Sequence, residues 1–248
     1  MLQALIHSKL GRAIKNSQFQ PIEDTQTSST VGVLQYLPSS VFWSILYDAI
    51  QGKKDLPKEI GEILVFRFWP QLSIGEDSSN SNRVEPDVLI ETEQYYIIIE
   101  AKRFDEGGQS RQQWINEVGA VIECTQDNPK PILLIALGGN SSLATQKEKV
   151  GEKEFCVFPL TWLDLLHSIQ EYRKKKGNAL ESHYDRLLSD TIEGFALHNY
   201  FDVEWLCHLS DRTIEDSKLP LGTFSFGNLS NLTDKFISKQ NIDLLWKK

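Results

Sequence analysis

The sequence predicts a mixed α/β fold: one central sheet flanked by helices, beginning with antiparallel strands and continuing through a crossover helix. Two apolar runs of strand length, residues 95–99 and 132–137, are too continuous to belong to strands wetted on one face. Between and after them, apolar residues recur at helical spacing. The chain has 248 residues, 40% hydrophobic and 24% charged, which suits one domain with elaborations or one domain with a small appendage.

The elements follow in order. Leu2, Leu5, Ile6, Leu10 and Ile14 have helical spacing, with Lys9, Arg12 and Lys15 among them. This reads as a first surface helix rather than a targeting peptide, because no long apolar stretch or small-residue cleavage site accompanies it. Pro38, Ser39 and Ser40 mark a helix start, with Ser caps before an apolar face, and Gln51-Gly52 marks its stop. Residues 63–68 read as a strand, and residues 78–82, after Asp77, as a polar loop. Residues 84–91 and 95–102 read as two strands joined by a short connection. Gly107-Gly108 opens a helix running to about Glu123, with Trp114, Val118, Val121 and Ile122 on one side. Residues 132–137 form a buried strand ended by Gly138-Gly139, residues 155–160 another strand, and residues 162–172 an amphipathic helix. A further helix is expected over residues 179–195. Residues 1–176 are taken as the core, and residues 177–248 as a mainly helical extension packed on it. The extension carries Tyr200, Phe201, Trp205, Phe224, Phe226, Phe236 and Trp246, which can serve packing, a homodimer contact or stacking on bases.

Charge and cysteine usage narrow the classes. The formal net charge of −8 weighs mildly against a nucleic-acid partner, although a local basic patch is enough to hold phosphates. Arg173 to Lys176 is such a patch, or else a helix end where cations complement the dipole; Lys53, Lys54 and Lys58 form a smaller one. Cys124, Cys156 and Cys207 form no CxxC pair, so neither a zinc ribbon nor a disulfide framework is supported, and a reducing cytoplasmic location is expected. His198, Cys207 and His208 suit packing better than metal binding. No apolar run reaches the length of a membrane span.

The chemistry concentrates in Glu85-Pro86-Asp87 and, after the apolar run, Glu100-Ala101-Lys102. Glu100 and Lys102 stand two apart and project from one face of their strand. Charges at the end of a strand buried on both sides are costly unless paired or bound to a metal. With Glu93-Gln94 at the turn, Thr92 faces Tyr95, Glu91 faces Tyr96, and Asp87 faces Glu100. Two opposed carboxylates repel, and a divalent cation between them resolves the conflict. Lys102 could then hold a phosphate oxygen or polarise the attacking water. The plainer alternative is a Glu100–Lys102 surface pair with Asp87 in a turn.

Pro86-Asp87 followed by Glu100-Ala101-Lys102, in this order of elements over residues 21–172, resembles the PD-(D/E)XK nuclease superfamily, whose fold is restriction-endonuclease-like. The resemblance implies Mg²⁺ (or Mn²⁺) held by Asp87, Glu100 and the Ala101 carbonyl, with Lys102 assisting the water. It also implies a carboxylate on a helix before the first strand, for which Glu23 is the candidate and Asp24 the second. The alternative for both is acids placed in a helix's first turn by its dipole. Some branches place a glutamine on the helix after the lysine; Gln109, Gln112 and Gln113 are available, with Gln113 chosen. The expected activity is metal-dependent phosphodiester hydrolysis, with DNA as substrate and restriction or defence against foreign DNA as a plausible setting. The same fold cutting RNA or branched DNA is one rival. A catalytically silent module that binds nucleic acid or a protein partner is the other.

Overall fold

The structure, a computed structural model, describes residues 2–15, 18–73 and 83–201. The polar loop expected at 78–82, Asp77, Cys207, His208 and the aromatics from Trp205 onward lie outside the described residues.

The N-terminal helix is shorter than its apolar spacing suggests. α1 (Leu2–Ile6) ends before Ser8, which takes a positive φ of 57°, a conformation an α-helix cannot contain. A 3-10 turn follows at Leu10–Ala13, and β1 (Ile14–Lys15) pairs antiparallel with β2 (Gln18–Phe19). Leu2, Leu5 and Ile6 are exposed; the buried residue is Ala4, whose N–H donates to the Ser28 hydroxyl at 2.9 Å. α2 (Glu23–Ser29) and α3 (Val31–Leu34) come next. The Thr25 hydroxyl accepts from the Ile22 N–H at 3.1 Å, and Glu23 and Asp24 occupy the first turn of α2, where the dipole favours acids.

α4 (Ser39–Ala49) starts after Pro38, as expected, but its serines are not its caps. The Ser39 hydroxyl donates to the Glu62 carboxylate at 2.7 Å and accepts from the Ile63 N–H at 2.9 Å, fastening the helix to the first long strand. That strand, β3 (Ile63–Phe68), has the expected bounds. The strand expected over 84–91 is divided. Pro86 lacks the N–H a ladder requires, so β5 (Arg83–Val84) pairs with β4 (Leu72–Ser73), and only β6 (Val88–Thr92) joins the main sheet. β7 (Tyr96–Ala101) follows and is buried throughout.

Gly107 and Gly108 both take positive φ and belong to a loop, so α5 (Arg111–Cys124) begins later than expected. After β8 (Ile132–Leu137) comes β9 (Gln146–Val150), a strand the sequence reading lacked, then β10 (Lys153–Leu160), α6 (Trp162–Lys176) and α7 (Ser182–Leu197).

The six-stranded mixed sheet has the order β3-β6-β7-β8-β10-β9. β7 and β8 are parallel neighbours joined through α5, and β8 and β10 are also parallel; the remaining pairs are antiparallel. One face, including Ile97, Ile99, Ile135 and Phe158, packs with α4, α6 and α7 through Phe42, Leu46, Leu165 and Phe195. The other face, including Tyr96, Ile98, Leu134 and Val157, packs under Trp114, Val118 and Val121 of α5. At about 25 cal/mol per Å² of apolar surface, these two cores are the main stabilising element and hold β7 at the centre of three layers. No helix among the described residues is long and apolar enough to cross a membrane.

Candidate active site

The β6–β7 hairpin fixes the first pair of acids. Its register is Glu91↔Tyr96, Ile90↔Ile97, Leu89↔Ile98 and Val88↔Ile99. One further step places Asp87 opposite Glu100. By alternation both belong to the α5 side of the sheet, with Leu89 and Ile98. The turn uses Glu93-Gln94, an unfavoured hairpin sequence, and Thr92 explains how. Its hydroxyl accepts from the N–H groups of Gln94 at 3.2 Å and Tyr95 at 2.9 Å, closing the turn from the side.

Asp87 is 6% exposed and Glu100 2%. The two oxygens of Asp87 are held separately: Oδ1 accepts from Trp69 Nε1 at 2.9 Å and Oδ2 from the Ala101 N–H at 2.9 Å. Lys102 leaves the strand with its N–H on Leu137 O at 2.8 Å, and its carbonyl accepts from Trp162 Nε1 at 2.6 Å. Its ammonium donates to Glu100 Oε1 and to the Ala101 carbonyl, the latter at 3.0 Å, and lies 3.8 Å from Glu23 Oε1. The other oxygen of Glu23 accepts the Arg103 N–H at 3.2 Å. Gly139 abuts this lysine: at its φ of 66°, a Cβ would stand 2.7 Å from Lys102 Cβ, so only glycine admits the close approach.

α5 contributes from above. Gln113 Nε2 donates to Glu100 Oε1 at 2.7 Å and to Glu117 Oε1 at 3.0 Å. Gln109 Nε2 donates to the Glu100 carbonyl at 2.9 Å and to the Gly138 carbonyl at 3.0 Å, while Gln112 is turned to Asn116 on the exposed side. The fold therefore gathers Glu23, Asp87, Glu100, Ala101, Lys102 and Gln113 from four separate stretches of the chain. Asp24 stands beside Glu23 in the same turn. The sequence reading missed Trp69, which positions Asp87, and Glu117, which is 1% exposed. Glu117 was detectable in principle: it is one turn from Gln113 and borders the Trp114, Val118 and Val121 stripe.

Two alternatives can be compared with this geometry. Asp87 is not in a solvated turn, and the Glu100–Lys102 pair is not on the surface. The basic run at 173–176 forms the last turn of α6, where Arg173 Nε bonds Asp185 Oδ1 at 2.8 Å, as a helix end would have it.

Electrostatically, the described residues of this site are short of positive charge. Burial pushes Asp87 well above the usual carboxylate range, with Glu100 and Glu23 adding to the effect. Burial, then Glu117, raises Glu100 to about 8, and burial raises Glu117 to about 7. Glu23 is raised by burial against the pull of Lys102. For Lys102, burial works against the charge, yet Glu100, Glu23 and Asp87 together raise it.

A pH dependence follows. Carboxyls with raised folded pKa values stabilise fully below their unfolded value near 4.5, and that stabilisation is lost as pH rises through the folded values, to about 8 for Glu100. His198, pushed down to about 4 chiefly by burial, acts oppositely but only below 6.5. In chelator, the melting temperature should therefore fall by several degrees from pH 6.5 to above pH 8, and Glu100→Gln should flatten the decline. A wild-type melting temperature that rises across that window would contradict the buried acid cluster.

As the side chains stand, no group of three His, Cys, Asp or Glu residues among the described residues is gathered to hold a metal ion. The Lys102 ammonium sits on Glu100 Oε1 and the Ala101 carbonyl, and Asp87 holds the N–H of the same Ala101. No family model matches this chain, and a search of curated proteins found no match.

Proposed function

We propose that this chain is a divalent-cation-dependent phosphodiesterase of the PD-(D/E)XK kind, with a restriction-endonuclease-like fold and DNA as its substrate. The observation that carries the reading is a set of hard oxygens that already attracts positive charge: the Lys102 ammonium bridges Glu100 Oε1 and the Ala101 carbonyl, and the buried Asp87 carboxylate lies one residue before the strand that pairs with this one. The donor set fits Mg²⁺ or Mn²⁺. All the donors are hard oxygens, and such ions need only one or two carboxylates, completed by carbonyl, water and phosphate oxygens. Asp87 and Glu100 would hold the ion with the Ala101 carbonyl. When bound, it supplies Lewis-acid charge at the phosphoryl oxygen and a water of lowered pKa.

The remaining work falls to side chains. Trp69 Nε1 and the Ala101 N–H aim Asp87, and Gln113 steadies Glu100. Lys102, fixed by its backbone bonds and by Gly139, places its ammonium to donate to a phosphate oxygen or to orient the attacking water. Glu23 stands near enough to that ammonium to hold it in register. The mixed sheet with its acidic hairpin supports this reading.

The test is incubation of the full chain with plasmid and with single-stranded DNA, in Mg²⁺, Mn²⁺ or EDTA. Cleavage in either metal that stops in EDTA is expected. DNA retained on the protein without cleavage in either metal would overturn the reading in favour of a silent binding module.

A further inference from the structure

Glu117 is placed where an ordinary helix would carry a hydrophobic residue. It lies between α5 and the sheet, next to Trp114 and Val118, and is buried to 1% exposure. It stands in the middle of α5, too far from the first turn for the dipole to stabilise its charge. Oε1 accepts from Gln113 Nε2 at 3.0 Å, and the buried Oε2 receives no N–H or hydroxyl donor. The Glu100 carboxyl is within hydrogen-bond reach of Glu117, and two such groups meet only by sharing a proton or a cation. Its charged neighbours are Glu100, Asp87 and Lys102, and the Lys102 ammonium is engaged by Glu100 and the Ala101 carbonyl.

A hydrogen bond to Gln113 alone does not account for this arrangement. Holding Gln113 needs one acceptor oxygen, which a glutamine at 117 would supply without burying a charge. An unpartnered carboxylate oxygen beside a second buried carboxylate is destabilising until a cation or proton joins them. We infer that Glu117 is a further ligand of the divalent-cation site, its Oε2 adding a third carboxylate to Asp87 and Glu100. The inference rests on the reading of Asp87 and Glu100 as cation ligands and extends it from the sheet to α5. Gln113 then has a defined part: its single amide group donates to one oxygen of Glu100 and one of Glu117, which draws the two carboxyl groups together.

The experiment is calorimetric titration of Mn²⁺ into wild type and Glu117→Gln, alongside melting curves in chelator. Glutamine keeps the acceptor for Gln113 and removes the charge. The expected result is a loss of about 10–100-fold in Mn²⁺ affinity, with a metal-free melting temperature equal to or above that of wild type. A structural residue would give the reverse, a lower metal-free melting temperature with Mn²⁺ affinity unchanged. Unchanged affinity overturns the inference whatever the melting temperature. If Glu117→Gln does not fold, Glu117→Asp replaces it; the same loss of affinity supports the inference and wild-type affinity overturns it. A wild type that takes up no Mn²⁺ defeats the underlying reading instead, so the two failures are distinguishable.

Discussion

In a Lys102→Ala protein, phosphodiester cleavage is expected to fall by about 10²–10⁴-fold, the range for loss of a positioned proton-transfer group, while the fold survives. The backbone bonds of Lys102 are kept, its N–H donating to Leu137 O and its carbonyl accepting from Trp162 Nε1. Glu100 loses its ammonium partner, and with burial raising it to about 8 it meets that loss by taking a proton. Divalent-cation affinity should not fall with activity. The ammonium occupies Glu100 Oε1 and the Ala101 carbonyl, so its removal frees the two oxygens proposed as metal donors, and Mn²⁺ should bind at least as tightly as in wild type. Single-turnover cleavage, circular dichroism and calorimetry measure the three quantities. Normal cleavage by a folded Lys102→Ala protein would remove Lys102 from the chemistry.

Much of the site is legible in the sequence because its geometry follows from hairpin counting. Strand alternation and a two-residue turn suffice to set Glu91 opposite Tyr96, as found, and to bring Asp87 toward Glu100. The helix carrying Gln113 crosses the same end of the sheet because β7 and β8 are parallel and need a crossover between them. What was not legible has particular causes. β9 reads Gln146-Lys147-Glu148-Lys149-Val150, with no apolar alternation, since its one buried charge, Glu148, is satisfied by Arg111 Nε at 2.7 Å. The division at Pro86 was signalled by the proline, which has no N–H for a ladder. α1 stops early because of a backbone conformation at Ser8 that no side-chain pattern announces. Glu117 escaped notice because a glutamate on a helix is ordinarily solvated; its burial comes from the packing of α5 on the sheet.

Asp87→Asn is the substitution on which the proposed cation site turns. The aspartate accepts from two N–H donors, one on each oxygen. Asparagine has a single acceptor oxygen, so its amide nitrogen must face one of those donors, and one of the two bonds is lost. Against this cost, of about 1–3 kcal/mol for a buried donor left unsatisfied, stands the relief of a buried charge that burial and Glu100 already push toward protonation. The metal-free protein should therefore stay folded, and its response to metal becomes interpretable. A ligand that binds only the native state stabilises it in proportion to its affinity and concentration. Wild type should gain melting temperature in Mn²⁺, and Asp87→Asn should gain far less. Calorimetric titration of Mn²⁺ into both proteins is the most direct measurement. The expected result is binding to wild type with affinity reduced at least about 10-fold in Asp87→Asn; equal affinity in the two proteins would show that Asp87 holds no cation and would contradict the account.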